Sequence, residues 1–78
     1  MEDIALQVHT MMIEKLGIDE NKITDESDFR KDLNIDSLDL YELFLETEKR
    51  FGISIPDEIA EKIETVGQLI AFISSQRH

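Results

Sequence analysis

The sequence contains no cysteine and only two histidines, His9 and His78. Without a thiol there is neither a disulfide framework nor a thiolate metal site, which fits a reducing compartment. Basic residues are scarce, eight Lys and Arg against 18 Asp and Glu, for a formal net charge of −10. Nucleic-acid binding rests on Lys and Arg neutralising phosphates, so that class of partner is set aside. There is no glycine-rich phosphate loop, no G-x-S-x-G, and no nucleophile–base–orienter set around a serine. An autonomous enzyme is therefore not expected. No stretch approaches the roughly 18 apolar residues of a membrane span, and the opening Met1-Glu2-Asp3 does not resemble a signal peptide. The expectation is a protein without membrane insertion, located in the cytoplasm.

What is present is enough for a fold. The chain has 78 residues, which read as one domain over 1–78 with one small core. Hydrophobic residues make up 41% of it and recur periodically, which argues against acidic disorder. The negative surface repels itself, so salt or divalent cations are expected to stabilise the chain. It also attracts and steers proteins with basic patches. A monomer is expected.

Ile4, Val8, Met11, Met12 and Leu16 recur at three- and four-residue steps and predict an amphipathic helix from about Asp3 to Leu16, stopped by Gly17. His9 and Lys15 fall off that stripe. Residues 17–36 are polar and long for a loop, with Ile18, Ile23, Phe29 and Leu33 as anchors and at most one helical turn near Asp28–Lys31. A second helix is predicted over Ser37–Phe51, ended by Gly52. After an extended Ile53-Ser54-Ile55 and Pro56, a short helix is predicted over Asp57–Lys62. A last helix capped by Thr65 runs to about Ser75, with Val66, Leu69, Ile70 and Ile73 facing inward. The fold class is all-α: a small four-helix bundle of three longer helices and one short one, with a long loop between the first and second.

Asp32-x-Asn34-x-Asp36 matches the opening of an EF-hand loop, but Ser37 replaces its glycine and Leu43 its closing glutamate. That reading fails, and no metal site is expected. In Asp36-Ser37-Leu38-Asp39-Leu40-Tyr41-Glu42-Leu43, Ser37 stands at a loop–helix junction. A phosphate ester there faces free backbone N–H groups and the positive end of the helix dipole. Ser and Asp are also simply preferred helix caps, and the tripeptide alone leaves both readings open.

The run as a whole resembles the acyl carrier protein family, in its discrete bacterial type. Asp-Ser-Leu matches the start of that family's second helix. Phe29-x-x-Asp32-Leu33 stands upstream at the family spacing and Ile55-Pro56-Asp57-Glu58 downstream. Ala60-Glu61-Lys62-Ile63, Thr65-Val66-Gly67 and the Tyr-like Phe72 also match, so the resemblance spans essentially the whole chain. It implies that Ser37 carries a covalent 4′-phosphopantetheine arm, placed from coenzyme A by a Mg²⁺-dependent phosphopantetheinyl transferase, with Asp36 in support. It implies a non-catalytic carrier that holds acyl groups as thioesters for acyl-transferring, condensing or acyl-activating enzymes with basic docking patches. Leu38, Asp39, Tyr41, Glu42, Phe44, Leu45 and Glu48 are the expected partner-facing residues. Leu43, Phe51, Ile59, Ile63, Leu69 and Phe72 are the expected walls of an acyl cavity.

Three departures stand out. Lys49-Arg50 ends the second helix with positive charge, Thr47 occupies a usually aliphatic position, and Asn34-Ile35 replaces a Gly-Ala-like pair. Lys49 and Arg50 either narrow the set of partners or simply pair with Glu46 and neighbours. The leading expectation is a carrier for fatty-acid or related lipid synthesis. A specialised carrier for polyketide, peptide or aminoacyl assembly is the alternative. An acidic interaction or regulatory protein that is never modified is the alternative of another class.

Overall fold

The computed structural model describes residues 3–76; Met1, Glu2, Arg77 and His78 lie outside them. The chain is all-α, with helices α1 (Ile4–Leu16), α2 (Ser37–Phe51), α3 (Asp57–Ala60) and α4 (Val66–Gln76). Helix α1 packs against both α2 and α4, and the three bury a common core.

Local chemistry sets the ends of these helices. The Asp3 carboxylate accepts the Ala5 N–H at 3.0 Å and starts α1, and Gly17 stops it at φ 65°, a left-handed conformation that costs glycine little. The apolar stripe of α1 behaves as its spacing predicts. Val8, Met11 and Met12 are fully buried, and Ile4 and Leu16 pack half-buried around them. His9 is half-buried, and its Nε2 is shut off from solvent without a hydrogen-bond partner. Helix α4 opens on a reciprocal cap. Thr65 Oγ1 accepts the Gln68 N–H at 3.2 Å, while Gln68 Oε1 accepts the Glu64 and Thr65 N–H groups at 2.6 and 3.2 Å. Val66, Leu69 and Ile73 are buried on its inner face, with Ile70 half-buried beside them.

The long loop is more ordered than the sequence predicts. A 3-10 turn forms at Glu20–Lys22, started by Asp19 Oδ1 accepting the Asn21 N–H at 2.9 Å. The expected single turn after Asp28 is present, closed by the Asp32 and Leu33 N–H groups onto the Asp28 carbonyl at 3.0 and 3.1 Å. The loop then docks on the start of α4. Phe29 N–H donates to Glu64 O at 2.9 Å, Val66 N–H to Ser27 O at 3.1 Å, and Gly67 N–H to Asp25 O at 2.8 Å. Phe29 and Ile23 are buried beneath, and buried Ser27 donates its hydroxyl to Lys22 O at 2.9 Å. Ile35 is a further buried anchor that the sequence reading did not single out.

Helix α3 is shorter than the expected Asp57–Lys62. Beyond Ala60 the bonds tighten to three-residue spacing, from Lys62 N–H to Ile59 O and from Ile63 N–H to Ala60 O, which ends the helix and lets Ile63 turn into the core. The departures at 34, 35 and 47 also find local reasons. Asn34 sits at φ 56°, a left-handed conformation that asparagine tolerates better than most residues. Thr47 is fully buried, and its hydroxyl is satisfied by donating to Leu43 O at 2.8 Å one turn back.

Gly67 tests the docking of the loop. A Cβ built there lies 2.9 Å from the Asp25 carbonyl oxygen, a backbone atom that cannot swing aside. In an open helix, Gly→Ala gains up to about 1 kcal/mol, whereas forcing atoms into a packed site costs about 1–3 kcal/mol. Gly67→Ala is therefore expected to lower the melting temperature by several degrees, at about 4–8 °C per kcal/mol for a domain of this size. Circular dichroism melts of the two proteins check this. An equal or higher midpoint would mean that the contact between residues 25 and 67 does not constrain the fold.

Candidate functional site

The loop ends and α2 begins at one pair of residues that divide two tasks. Asp36 is extended (φ −80°, ψ 173°), and its Oδ1 accepts the Asp39 N–H at 2.8 Å, so the carboxylate takes the role of cap. Ser37 is the first helical residue and is exposed. With the cap filled by its neighbour, the Ser37 hydroxyl has no structural duty and makes no hydrogen bond among the described residues. The Ser37 and Leu38 N–H groups find no acceptor there either, and with the aligned peptide dipoles they polarise this end of α2 positively.

Ser37 opens onto a shallow cleft of about 160 Å³, walled by Arg30, Leu40, Tyr41, Phe44, Ala60 and Glu61. Through Arg30, Leu40, Ala60 and Glu61 it adjoins a more enclosed cleft of about 270 Å³ that adds Asp28, Phe29, Lys31, Ile63 and Glu64. The apolar walls are Phe29, Leu40, Ala60 and Ile63. Arg30, Lys31, Glu61 and Glu64 add charged groups to its lining.

Of the six residues expected to wall a cavity, Ile63 reaches this cleft. Leu43 and Leu69 are fully buried in the core, Phe51 is buried with them, and Ile59 and Phe72 pack half-buried against it. Leu40 and Phe29, which were not among the expected walls, line this cleft. Residues three apart on a helix differ by only about 60° around its axis, so spacing did not separate Leu40 from Leu43. Apolar spacing alone does not show which face meets α3.

The expected partner-facing residues also divide. Leu38, Tyr41 and Leu45 are 68, 58 and 40% exposed, and Glu42 is exposed among them. Asp39 is half-buried. Phe44 is turned inward instead, buried against Phe29 in an edge-to-face contact with centroids 6.2 Å apart. Glu48 is half-buried, and its Oε2 accepts the Ile55 N–H at 2.6 Å and pins the α2–α3 link. Arg50 pairs with Glu46 at 3.4 Å, and Glu46 also meets Lys15 of α1 at 3.7 Å. Lys49 stays exposed and borders a separate shallow groove with Glu42 and Leu45.

The carboxylates of the EF-hand-like run serve the backbone. Asp32 Oδ2 accepts the Asp28 N–H at 2.8 Å, and Asp36 caps α2. Asp28 Oδ1 in turn accepts the Lys31 and Arg30 N–H groups, both at 2.9 Å. The Lys31 N–H bond, foremost, holds the Asp28 carboxyl below its usual value. Partial burial works against this, while the Arg30 N–H bond and the two neighbouring cations add to the lowering.

An exposed seryl oxygen at a polarised helix start, with unfilled N–H groups and a cation-bordered cleft beside it, fits a phosphate ester and a tethered chain. The chain belongs to the phosphopantetheine attachment-site family, whose sequence model matches residues 7–73. The group that defines this family is a covalently attached 4′-phosphopantetheine, so the protein is a phosphopantetheine-bearing carrier. Domains of this kind are carriers rather than catalysts, and they work with phosphopantetheinyl transferase and acyl-handling enzymes. Among the described residues, no helix is long and apolar enough to cross a membrane.

The lowered Asp28 carboxyl gives a pH test. Since the folded group titrates below the unfolded value near 3.8, its contribution to stability is complete above that value and is lost as pH falls through the folded pKa. A carbon-13 carboxyl titration of the native protein should place the Asp28 midpoint below 3.8. In Lys31→Pro, which lacks the foremost N–H donor, the midpoint should move up. A midpoint at or above the ordinary value in the parent would contradict the hydrogen-bonded turn.

Proposed function

We propose that Ser37 bears the phosphopantetheine arm, and that the chain carries acyl groups for enzymes of fatty-acid or related lipid synthesis in the cytoplasm. The observation that carries the proposal is the division of labour at the head of α2. Asp36 takes the cap and leaves the Ser37 hydroxyl exposed and unbonded. In transfer from coenzyme A, that hydroxyl forms the new phosphodiester bond and gives up its proton, with 3′,5′-ADP as the leaving group. Asp36 supports the reaction by fixing the backbone from which Ser37 projects. The bound arm supplies a thiol, and through it a thioester activated for acyl transfer. The apolar walls at Leu40, Ala60 and Ile63 shelter part of the cargo, with each methylene removed from water worth about 0.8 kcal/mol.

For recognition, Leu38, Tyr41 and Leu45 supply exposed apolar contacts on α2, and Asp39 and Glu42 supply negative charge for basic docking patches. Exposed Lys49 beside Glu42 and Leu45 favours a second reading, a specialised carrier for polyketide, peptide or aminoacyl assembly with a narrower set of partners. Cargo analysis of carrier recovered from its native cell separates these two pathways.

Incubation with coenzyme A, Mg²⁺ and a broad-specificity phosphopantetheinyl transferase should add the mass of one arm to the parent and none to Ser37→Ala. Because Ser37 is not the cap, the variant should lose less than about 0.5 kcal/mol of stability. Loading of Ser37→Ala would exclude Ser37 as the attachment residue. A parent refused by its cognate transferase, while a control carrier is loaded, would favour an unmodified interaction protein.

A further inference from the structure

Eight basic residues stand against 18 acidic ones in this chain; several described cations, Lys22, Lys31, Lys49 and Lys62 among them, form no ion pair, so what sets Arg30 apart is its place beside Ser37. Lys15 and Arg50 both meet Glu46. Arg30 is exposed and forms no ion pair among the described residues, although Asp28, Glu61 and Glu64 border the same clefts. Its backbone is nonetheless fixed. The Arg30 N–H donates to Asp28 Oδ1 at 2.9 Å, inside the turn closed onto the Asp28 carbonyl, and the neighbouring Phe29 ring is buried against Phe44. The side chain therefore starts from an ordered point, and beyond its coulombic pull on the Asp28 carboxyl its charge enters no ion pair among the described residues. Arg30 walls both the cleft that contains Ser37 and the more enclosed cleft next to it.

Taking Ser37 as the attachment residue, as proposed above, we infer that Arg30 is an anion-recognising positioning residue that holds the phosphodiester at the root of the arm. A phosphodiester on Ser37 Oγ places a full negative charge at the head of α2, close in sequence to Asp36 and Asp39. Arg30 is the cation that shares a cleft with it. The planar guanidinium offers paired donors that match two phosphate oxygens, which a lysine ammonium does not. Holding the root at Arg30 turns the rest of the arm along Leu40 and Ala60 towards Phe29 and Ile63. Lys31 borders only the more enclosed cleft, and so serves as a neighbouring cation that should not hold the phosphate.

The experiment loads the parent, Arg30→Ala, Arg30→Lys and Lys31→Ala with phosphopantetheine and confirms each by intact mass. Phosphorus-31 spectra of the arm and the Arg30 side-chain Nε–H resonance in nitrogen-15-labelled parent are then recorded. Loading should shift the Arg30 Nε–H signal and leave that of Arg50 in place. Arg30→Ala should displace and sharpen the phosphorus resonance, with Arg30→Lys between it and the parent and Lys31→Ala close to the parent. In 1 M salt, where the screening length falls to about 3 Å, the parent resonance should move towards that of Arg30→Ala. Circular dichroism of the exposed Arg30 variants should be unchanged. Identical phosphorus spectra for loaded parent and Arg30→Ala, with an unmoved Arg30 Nε–H, would overturn the role of Arg30 and leave Ser37 standing. A parent that never gains the arm's mass overturns both.

Discussion

The backbone contact between the long loop and the head of α4 is the constraint on which the rest of the structure depends. Three hydrogen bonds join residues 25–29 to residues 64–67, and the Gly67 N–H reaches the Asp25 carbonyl at a position where a side chain has no room. A polar loop of this length has little apolar area of its own to hold it in place. Its order comes instead from satisfying buried backbone groups across the chain and from dropping Ile23, Phe29 and Ile35 into the core. With the loop held down, the turn after Asp28 lies beside α3, and the cleft next to Ser37 acquires its third wall.

That arrangement makes the head of α2 chemically simple. A serine is often the cap of the helix it begins, and a hydroxyl donated to capping is less free to react. Here the carboxylate one residue earlier takes the cap, so the Ser37 oxygen is one the fold does not need. The surrounding charges follow the same economy. Asp28, Asp32 and Asp36 each satisfy backbone N–H groups, and the acidic run that looks like a cation site in sequence is occupied with holding turns.

Helix α2 shows how far pattern reading goes. Its limits, Ser37 to Phe51, follow from Asp36, Ser37 and Gly52 and agree with the structure to the residue. The six apolar residues of its first three turns, Leu38, Leu40, Tyr41, Leu43, Phe44 and Leu45, exceed what one buried face needs, so some had to be exposed. Periodicity alone did not say which. Phe44 was expected outside and is inside because the Phe29 ring, delivered by the loop, gives it an aromatic partner. Glu48, expected at a docking surface, also has a structural task, since its carboxylate holds the Ile55 N–H seven residues later. Thr47, an oddity in sequence, is an ordinary buried hydroxyl once the carbonyl one turn back is available to it.

The sequence by itself determined the all-α class, the limits of the long helices, the inward stripe of α1, and the family with its phosphopantetheine group. These follow from local periodicity, caps and short motifs, which depend on neighbours within about one helical turn. Tertiary structure alone decided which α2 residues face α3, that Leu40, Phe29 and Ala60 rather than Leu43 and Leu69 border the more enclosed cleft, and that Arg30 shares the adjoining shallow cleft with Ser37. Those outcomes depend on the loop crossing to α4, a contact between residues nearly forty positions apart that no local pattern encodes.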